Sequence, residues 1–154
     1  MFRLALAQML VEGGRREANL DRAVERIETA AAAGAQVVLL PETLTLGWMH
    51  PSALTDAEEI PYGPSCAKLR EAATRNRVYV CAGLVERDGD QVFNSAVFIA
   101  PNGELVLHHR KLNELEIGQG CYAQGDRLGV ARTPLGTIGV MICADAFACK
   151  RTAS

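Results

Sequence analysis

The sequence lacks any apolar run of the ~18 residues that a membrane helix requires, so no membrane partner is expected. It also lacks a charge bias: 16 Lys and Arg stand against 18 Asp and Glu, for a net charge of -2. Nucleic-acid binders usually show a clustered basic excess; no nucleic-acid partner is expected, and a small neutral or mildly charged substrate fits better. Paired cysteines are missing too. Cys66, Cys81, Cys121, Cys143 and Cys149 form no C-x-x-C, and His50, His108 and His109 show no H-E-x-x-H spacing, which gives no grounds for a metal site. The opening Met1 to Gln8 has a basic residue and an apolar stretch, but Gln8 and Glu12 interrupt it before an export signal develops, and unpaired thiols without such a signal predict a cytoplasmic location. Repeats and low-complexity tracts are absent, and 154 residues, 49% of them hydrophobic, suffice for one globular domain with a sizeable core.

What is present is a strand, a helix and a strand. Phe2 to Gln8 reads as a buried strand, and after the polar turn at Glu12 to Arg16 the apolar residues take up helical spacing. Leu20, Ala23, Val24, Ile27, Ala30 and Ala31 share one face, with Arg22, Glu25, Arg26 and Glu28 largely opposite, so this helix should pack on a sheet. Gly34 fits a left-handed cap, and Val37 to Leu40 has the continuous apolar character of a strand buried on both faces. Pro41 has no N–H for a ladder, so Glu42 and Thr43 should emerge at that strand's carboxyl end, where α/β sheets gather their sites.

A looser stretch holding Trp48, Pro51, Pro61, Gly63 and Pro64 leads to a helix over Ser65 to Asn76 and a strand over Val78 to Val85. Asp88-Gly89 and Pro101-Asn102-Gly103 are hairpin signals, and Leu135-Gly136 separates Val130 to Arg132 from an apolar strand over Ile138 to Ile142. The middle of the chain therefore reads as consecutive antiparallel strands joined to an α/β opening.

Glu42, Lys111 and Cys143 each fall at the end of an expected strand, and strand ends in one sheet can converge. A carboxylate, an ammonium and a thiol brought together make a nucleophile with its own base and an oxyanion partner. Singly, each has an ordinary explanation. A free Cys after an apolar strand is commonly a small core residue, and Lys111 beside His108, His109 and Arg110 could be a charged exit from the sheet.

The flanking residues make the set specific. Pro41-Glu42-Thr43, His109-Arg110-Lys111-Leu112 and Gly139-Val140-Met141-Ile142-Cys143-Ala144-Asp145 resemble, in order and spacing, the glutamate, lysine and nucleophile motifs of the nitrilase superfamily of carbon-nitrogen hydrolases. Phe93-Asn94-Ser95-Ala96 and Tyr122-Ala123-Gln124-Gly125-Asp126 are similar to its lesser signatures.

The resemblance implies an α/β fold, a layered αββα sandwich, and hydrolysis of an amide, nitrile or carbamoylated amine through a Cys thioester without a cofactor. In that scheme Glu42 accepts the thiol proton of Cys143, and Lys111 with the backbone N–H of Ala144 stabilises the oxyanion. A second glutamate is often found shortly after the lysine; Glu114, Glu116 and Gln119 are the candidates, and Glu116 is the favoured one, although a solvated loop carboxylate explains it equally well. Full-length relatives are implied to be homo-oligomers. The chain stops eleven residues after Cys143, so the resemblance covers the amino-terminal half of such a domain, 1–154, and the expected sandwich is cut off after the nucleophile strand.

Competing readings come from single motifs. Gly118-Gln119-Gly120-Cys121-Tyr122-Ala123 satisfies G-x-G-x-x-A but lacks a full preceding strand and a following amphipathic helix, so turn glycines explain it better than a dinucleotide site. Trp48 and His50 could line a pocket or simply pack a loop. Two other functions remain alongside hydrolysis: an interaction or assembly module presenting an uncovered sheet, and a thiol redox protein using Cys143 and Cys149, whose six-residue separation is no recognised redox spacing.

Overall fold

The structure, a computed structural model, describes residues 1–147. In chain order these form β1 (Leu4–Leu6), α1 (Arg16–Ala32), β2 (Val37–Leu39), α2 (Ala53–Asp56), α3 (Pro64–Asn76), β3 (Tyr79–Asp88), β4 (Gln91–Ile99), β5 (Leu105–Arg110), β6 (Val130–Thr133) and β7 (Gly136–Gly139). The first five strands make one sheet in the order β1-β2-β3-β4-β5, parallel from β1 to β3 and antiparallel from β3 to β5. The α/β opening and the antiparallel middle expected from the sequence are therefore halves of a single sheet.

The turn chemistry places each element. Gly34, Gly89 and Gly103 all adopt positive φ, at the end of α1 and in the β3–β4 and β4–β5 hairpins, as their sequence positions require. Pro64 occupies the first turn of α3, where its missing N–H costs nothing. Leu20, Ala23 and Ile27 of α1 and Leu69, Ala72 and Ala73 of α3 bury against Val38, Val80, Ala82, Leu84, Val97 and Ile99 on one face of the sheet. Among the described residues no helix is long and apolar enough to cross a membrane.

The opposite face carries the site and departs from the sequence reading. β6 and β7 form a separate two-stranded antiparallel sheet. Its Ala131, Leu135, Ile138 and Val140 pack on Tyr79, Cys81, Phe98 and Leu107 of the first sheet, sheet against sheet, with Tyr79 stacked on Phe98. A helical layer, the five-stranded sheet and the start of a second sheet give the mixed α/β sandwich expected. Cys143 thus does not leave the sheet that carries Glu42 and Lys111, and its strand ends at Gly139 rather than running to Ile142.

The first strand is also shorter and more open than its apolar run suggested. Leu4 and Leu6 remain 48% and 70% exposed, and Leu39 of β2 is 39% exposed. The helices cover only one face, and β6–β7 covers only part of the other. Alternation along β1 and β2 therefore leaves Leu4, Leu6 and Leu39 uncovered on the second face, whereas Val37 is buried there under β6–β7.

Candidate active site

Glu42 comes off β2 through Pro41 into a turn that β3 clamps. Leu44 N–H donates to Gly83 O at 2.9 Å and Gly83 N–H to Pro41 O at 3.1 Å, while Thr43 takes a positive φ of 46°. The approach is so close that a Cβ on Gly83 would lie 2.6 Å from Glu42 Cα and from Thr43 N. Only glycine leaves room for this turn.

Lys111 follows β5 and is tied to β4 by its own N–H, which donates to Asn94 O at 2.9 Å. Its ammonium is 1% exposed and reaches Glu42 Oε1 at 2.8 Å and Glu114 Oε2 at 3.3 Å. Asn94, 1% exposed on β4, donates from Nδ2 to Glu42 Oε1 at 2.7 Å and to Glu114 Oε1 at 3.0 Å. One amide and one ammonium thus bridge the same two carboxylates. Burial works against the charge on Lys111, but the ion pairs with Glu42 and then Glu114 outweigh it and hold its pKa above the ordinary lysine value. The cation is therefore retained at neutral pH.

Of the candidate second glutamates, Glu114 is the one that contacts Lys111, and Glu116, favoured from the sequence, does not. Glu114 is buried against Lys111, whereas Glu116 is exposed at the start of the single 3-10 turn Glu116–Gly118. The reason lies in the loop after Lys111. Leu112 and Asn113 are drawn back onto Asp145 by their N–H groups, so the carboxylate three residues beyond Lys111 returns to it and the next one points outward. Gly118 makes room, since a Cβ there would lie 2.7 Å from Glu114 Oε2.

Cys143 opens the 3-10 turn Cys143–Ala146 with a φ of 42°, outside the usual range for a residue bearing a Cβ, and its side chain is exposed. It lines a cavity of about 170 Å³ together with Glu42, Leu40, Gly83, Ala96 and Ile142. The structure therefore joins Glu42, Lys111 and Glu114 by direct contacts and sets Cys143 on the cavity that Glu42 also lines. Among the described residues Cys143 Sγ makes no hydrogen bond. Ala144 is the second residue of its turn and is buried.

The remaining motif residues sort themselves by their contacts. His109 meets Asp145 through Nε2 at 2.9 Å, and His108 meets Glu86 at 2.8 Å. His50 packs on Gly13 and bonds Ser52 across 2.9 Å, an ordinary loop role. Trp48, 40% exposed, leans toward Gly118 beside Glu114. The G-x-G-x-x-A stretch begins at the last residue of the 3-10 turn Glu116–Gly118 and is followed by no α-helix among the described residues. Cys149 and the rest of residues 148–154 lie outside the described residues, and the Cys143–Cys149 reading lies there with them.

Sequence reasoning assigned no role to Asn94, Gly83 or the His109–Asp145 pair. A signal existed for the first. Asn94 and Ser95 are polar residues inside the apolar strand Val92 to Ile99, and a buried amide needs partners.

Comparisons with known proteins identify the family and the fold. The family profile described as carbon-nitrogen hydrolase matches residues 3–148. An omega-amidase from Xenopus tropicalis is 34% identical over 94% of this chain and 55% of its own length, and a nitrilase from Pyrococcus abyssi is 34% identical over 96% of this chain and 57% of its own. The crystal structure of a CN-hydrolase superfamily protein from Xanthomonas campestris superposes with a TM-score of 0.86 at 25% identity, covering 96% of this chain and 55% of that one. The chain spans about 55% of the length of these relatives. By profile, sequence and fold, it belongs to the carbon-nitrogen hydrolase family of the nitrilase superfamily.

Proposed function

We propose that this site hydrolyses a small amide or nitrile through a thioester on Cys143, without a metal or organic cofactor. For an amide, Glu42 accepts the proton of the Cys143 thiol as Sγ attacks the carbonyl carbon. The carbonyl oxygen becomes an oxyanion, which the Lys111 ammonium and the Ala144 N–H stabilise. Collapse expels ammonia, which takes the proton from Glu42 and leaves the acyl group on Sγ. Water then gives its proton to Glu42 and attacks the thioester, and the released thiolate recovers the proton as the carboxylic acid departs. Glu114 and Asn94 hold Glu42 and Lys111 in place.

The observation that carries this reading is the buried Lys111 ammonium paired at 2.8 Å with Glu42, beside the cavity that Glu42 shares with Cys143. A free thiol has a pKa near 8.5 and yields little thiolate at neutral pH, so a neighbouring carboxylate base is what such a nucleophile needs. The relatives named as an omega-amidase and a nitrilase set the substrate class no more finely than amide or nitrile.

The test is ammonia release from a panel of short amides and nitriles. Cys143→Ala is expected to abolish release, and Lys111→Ala to lower it by about 10²- to 10³-fold, the usual cost of removing one oxyanion donor. Turnover surviving in Cys143→Ala would exclude the thioester. A second reading, an assembly module, draws on the exposed Leu4, Leu6 and Leu39. Light scattering separates the two, since a monomer that turns over substrate contradicts the module.

A further inference from the structure

The two parts of the site arrive from different sheets. Lys111 leaves β5 of the first sheet and Cys143 follows β7 of the second, so neither hydrogen-bond ladder fixes one relative to the other. One carboxylate spans the gap. Asp145, 2% exposed, accepts on Oδ1 from Leu112 N–H at 3.0 Å, Asn113 N–H at 2.9 Å and Asn113 Nδ2 at 3.4 Å. Its Oδ2 accepts from Ile142 N–H at 3.0 Å and meets His109 Nε2 at 2.9 Å. Three of these donors, Leu112, Asn113 and His109, flank Lys111, and Ile142 immediately precedes Cys143.

We propose that Asp145, steadied by His109, is a positioning residue that staples the nucleophile turn to the lysine loop. The proposal rests on the reading of Cys143 as nucleophile. Its physical basis is that Cys143 holds a positive φ, an arrangement that persists only where the surroundings over-determine it. The Asp145 side chain supplies that constraint by fixing Ile142 on one side of Cys143 and binding the lysine loop on the other. An ionised carboxylate can accept all five bonds because it is acceptor-only at both oxygens. Asparagine cannot, since its Nδ2 would point N–H bonds at the N–H of Ile142 or those of Leu112 and Asn113.

Consistently, burial raises the Asp145 pKa but His109 and the backbone donors more than reverse this, leaving it below the ordinary value. His109 must carry its proton on Nε2 to serve the pair, and its buried Nδ1 has no protein partner among the described residues. The ring is therefore dedicated to Asp145.

The experiment uses the 154-residue chain and iodoacetamide as the probe, with peptide-resolved mass spectrometry giving the alkylation rate of each cysteine. Hydrogen exchange is followed in parallel at the Leu112 and Asn113 amides. Asp145→Asn is expected to slow Cys143 alkylation by roughly tenfold or more, the scale set by misplacing a reacting group, and to speed exchange at Leu112 and Asn113. His109→Leu should move both readouts in the same direction, and His109→Gln, which restores an N–H donor, should recover most of the rate. A role confined to general stability predicts no such rescue.

Wild-type alkylation or unchanged exchange in Asp145→Asn overturns the staple. If Asp145→Asn does not fold, the His109 pair decides, and equal rates in His109→Leu and His109→Gln overturn it. Glu42→Gln separates the staple from the reading beneath it. Loss of Cys143 reactivity in Glu42→Gln but not in Asp145→Asn keeps the site and removes the staple. Unselective labelling of the wild type, with exchange still responding to Asp145→Asn, removes the site and keeps the coupling of the two loops.

Discussion

At the scale of single residues, the polar core of the site is a closed set in which Asn94 and Lys111 each hold both Glu42 and Glu114. Both Nδ2 hydrogens of Asn94 are used, so its amide orientation follows from the carboxylates and not from choice. This makes Glu114 and Glu116 a discriminating pair. Glu114→Gln removes one of the two anions that hold Lys111 and is expected to lower turnover by roughly tenfold or more, while Glu116→Gln, exposed and unpaired among the described residues, should change neither turnover nor stability by more than about 0.5 kcal/mol. Ammonia-release kinetics and urea melts on the two variants check this, and the reverse ranking would return the role to Glu116. The sequence carried both glutamates but not the fold of the loop between them. What selects Glu114 is the pull of a residue thirty-one positions away, Asp145, on the backbone at Leu112 and Asn113.

At the scale of elements, local chemistry made much of the framework legible. Gly34, Pro41, Pro64, Gly89 and Gly103 each stand where backbone geometry demands them, and the helical face of α1 follows from its spacing. Tertiary events were not legible: β7 stops at Gly139, β6–β7 leaves the first sheet, and Gly83 is small because the Glu42 turn presses on it. The charged tie across β3, β4 and β5 belongs to this second kind. Glu86, 1% exposed on β3, accepts from Ser95 of β4 and from His108 and Arg110 of β5, with Arg110 also reaching Asp88 at 2.7 Å and lying 4.0 Å over the Phe93 ring. Burial raises the Glu86 pKa, but His108, Arg110 and Ser95 together pull it down to about 2 from an ordinary 4.5. A depressed carboxylate stabilises the fold above its unfolded pKa and loses that contribution as pH falls toward its folded one. The stability advantage of wild type over Glu86→Gln, on the order of 3 kcal/mol at neutral pH, should therefore shrink between pH 4.5 and 2. Paired urea melts from pH 7 down to pH 3 measure it; a difference that stays constant with pH would show that Glu86 contributes shape and not charge.

At the scale of the molecule, the same asymmetry that builds the site also leaves a surface. The helices pack on one face of the five-stranded sheet, and β6–β7 covers the other mainly from β3 toward β5, reaching Val37 of β2. Over β1 and β2, Leu4, Leu6 and Leu39 face outward beside Phe2 and Met141, which are 37% and 57% exposed. β1 is also an edge of the sheet among the described residues. An apolar face that runs out to an unpaired edge is a template for association with other chains, and soluble proteins commonly interrupt such edges with lysine. Leu6, at 70% exposure, lies where a charge costs the least packing. Leu6→Lys is therefore expected to lower the weight-average mass seen by static light scattering at high protein concentration. It should change the unfolding free energy from urea melts by no more than about 0.5 kcal/mol, the ordinary range for a surface substitution. Association that persists unchanged in Leu6→Lys would place the contact elsewhere on the molecule. A large loss of stability would show instead that Leu6 is covered in solution.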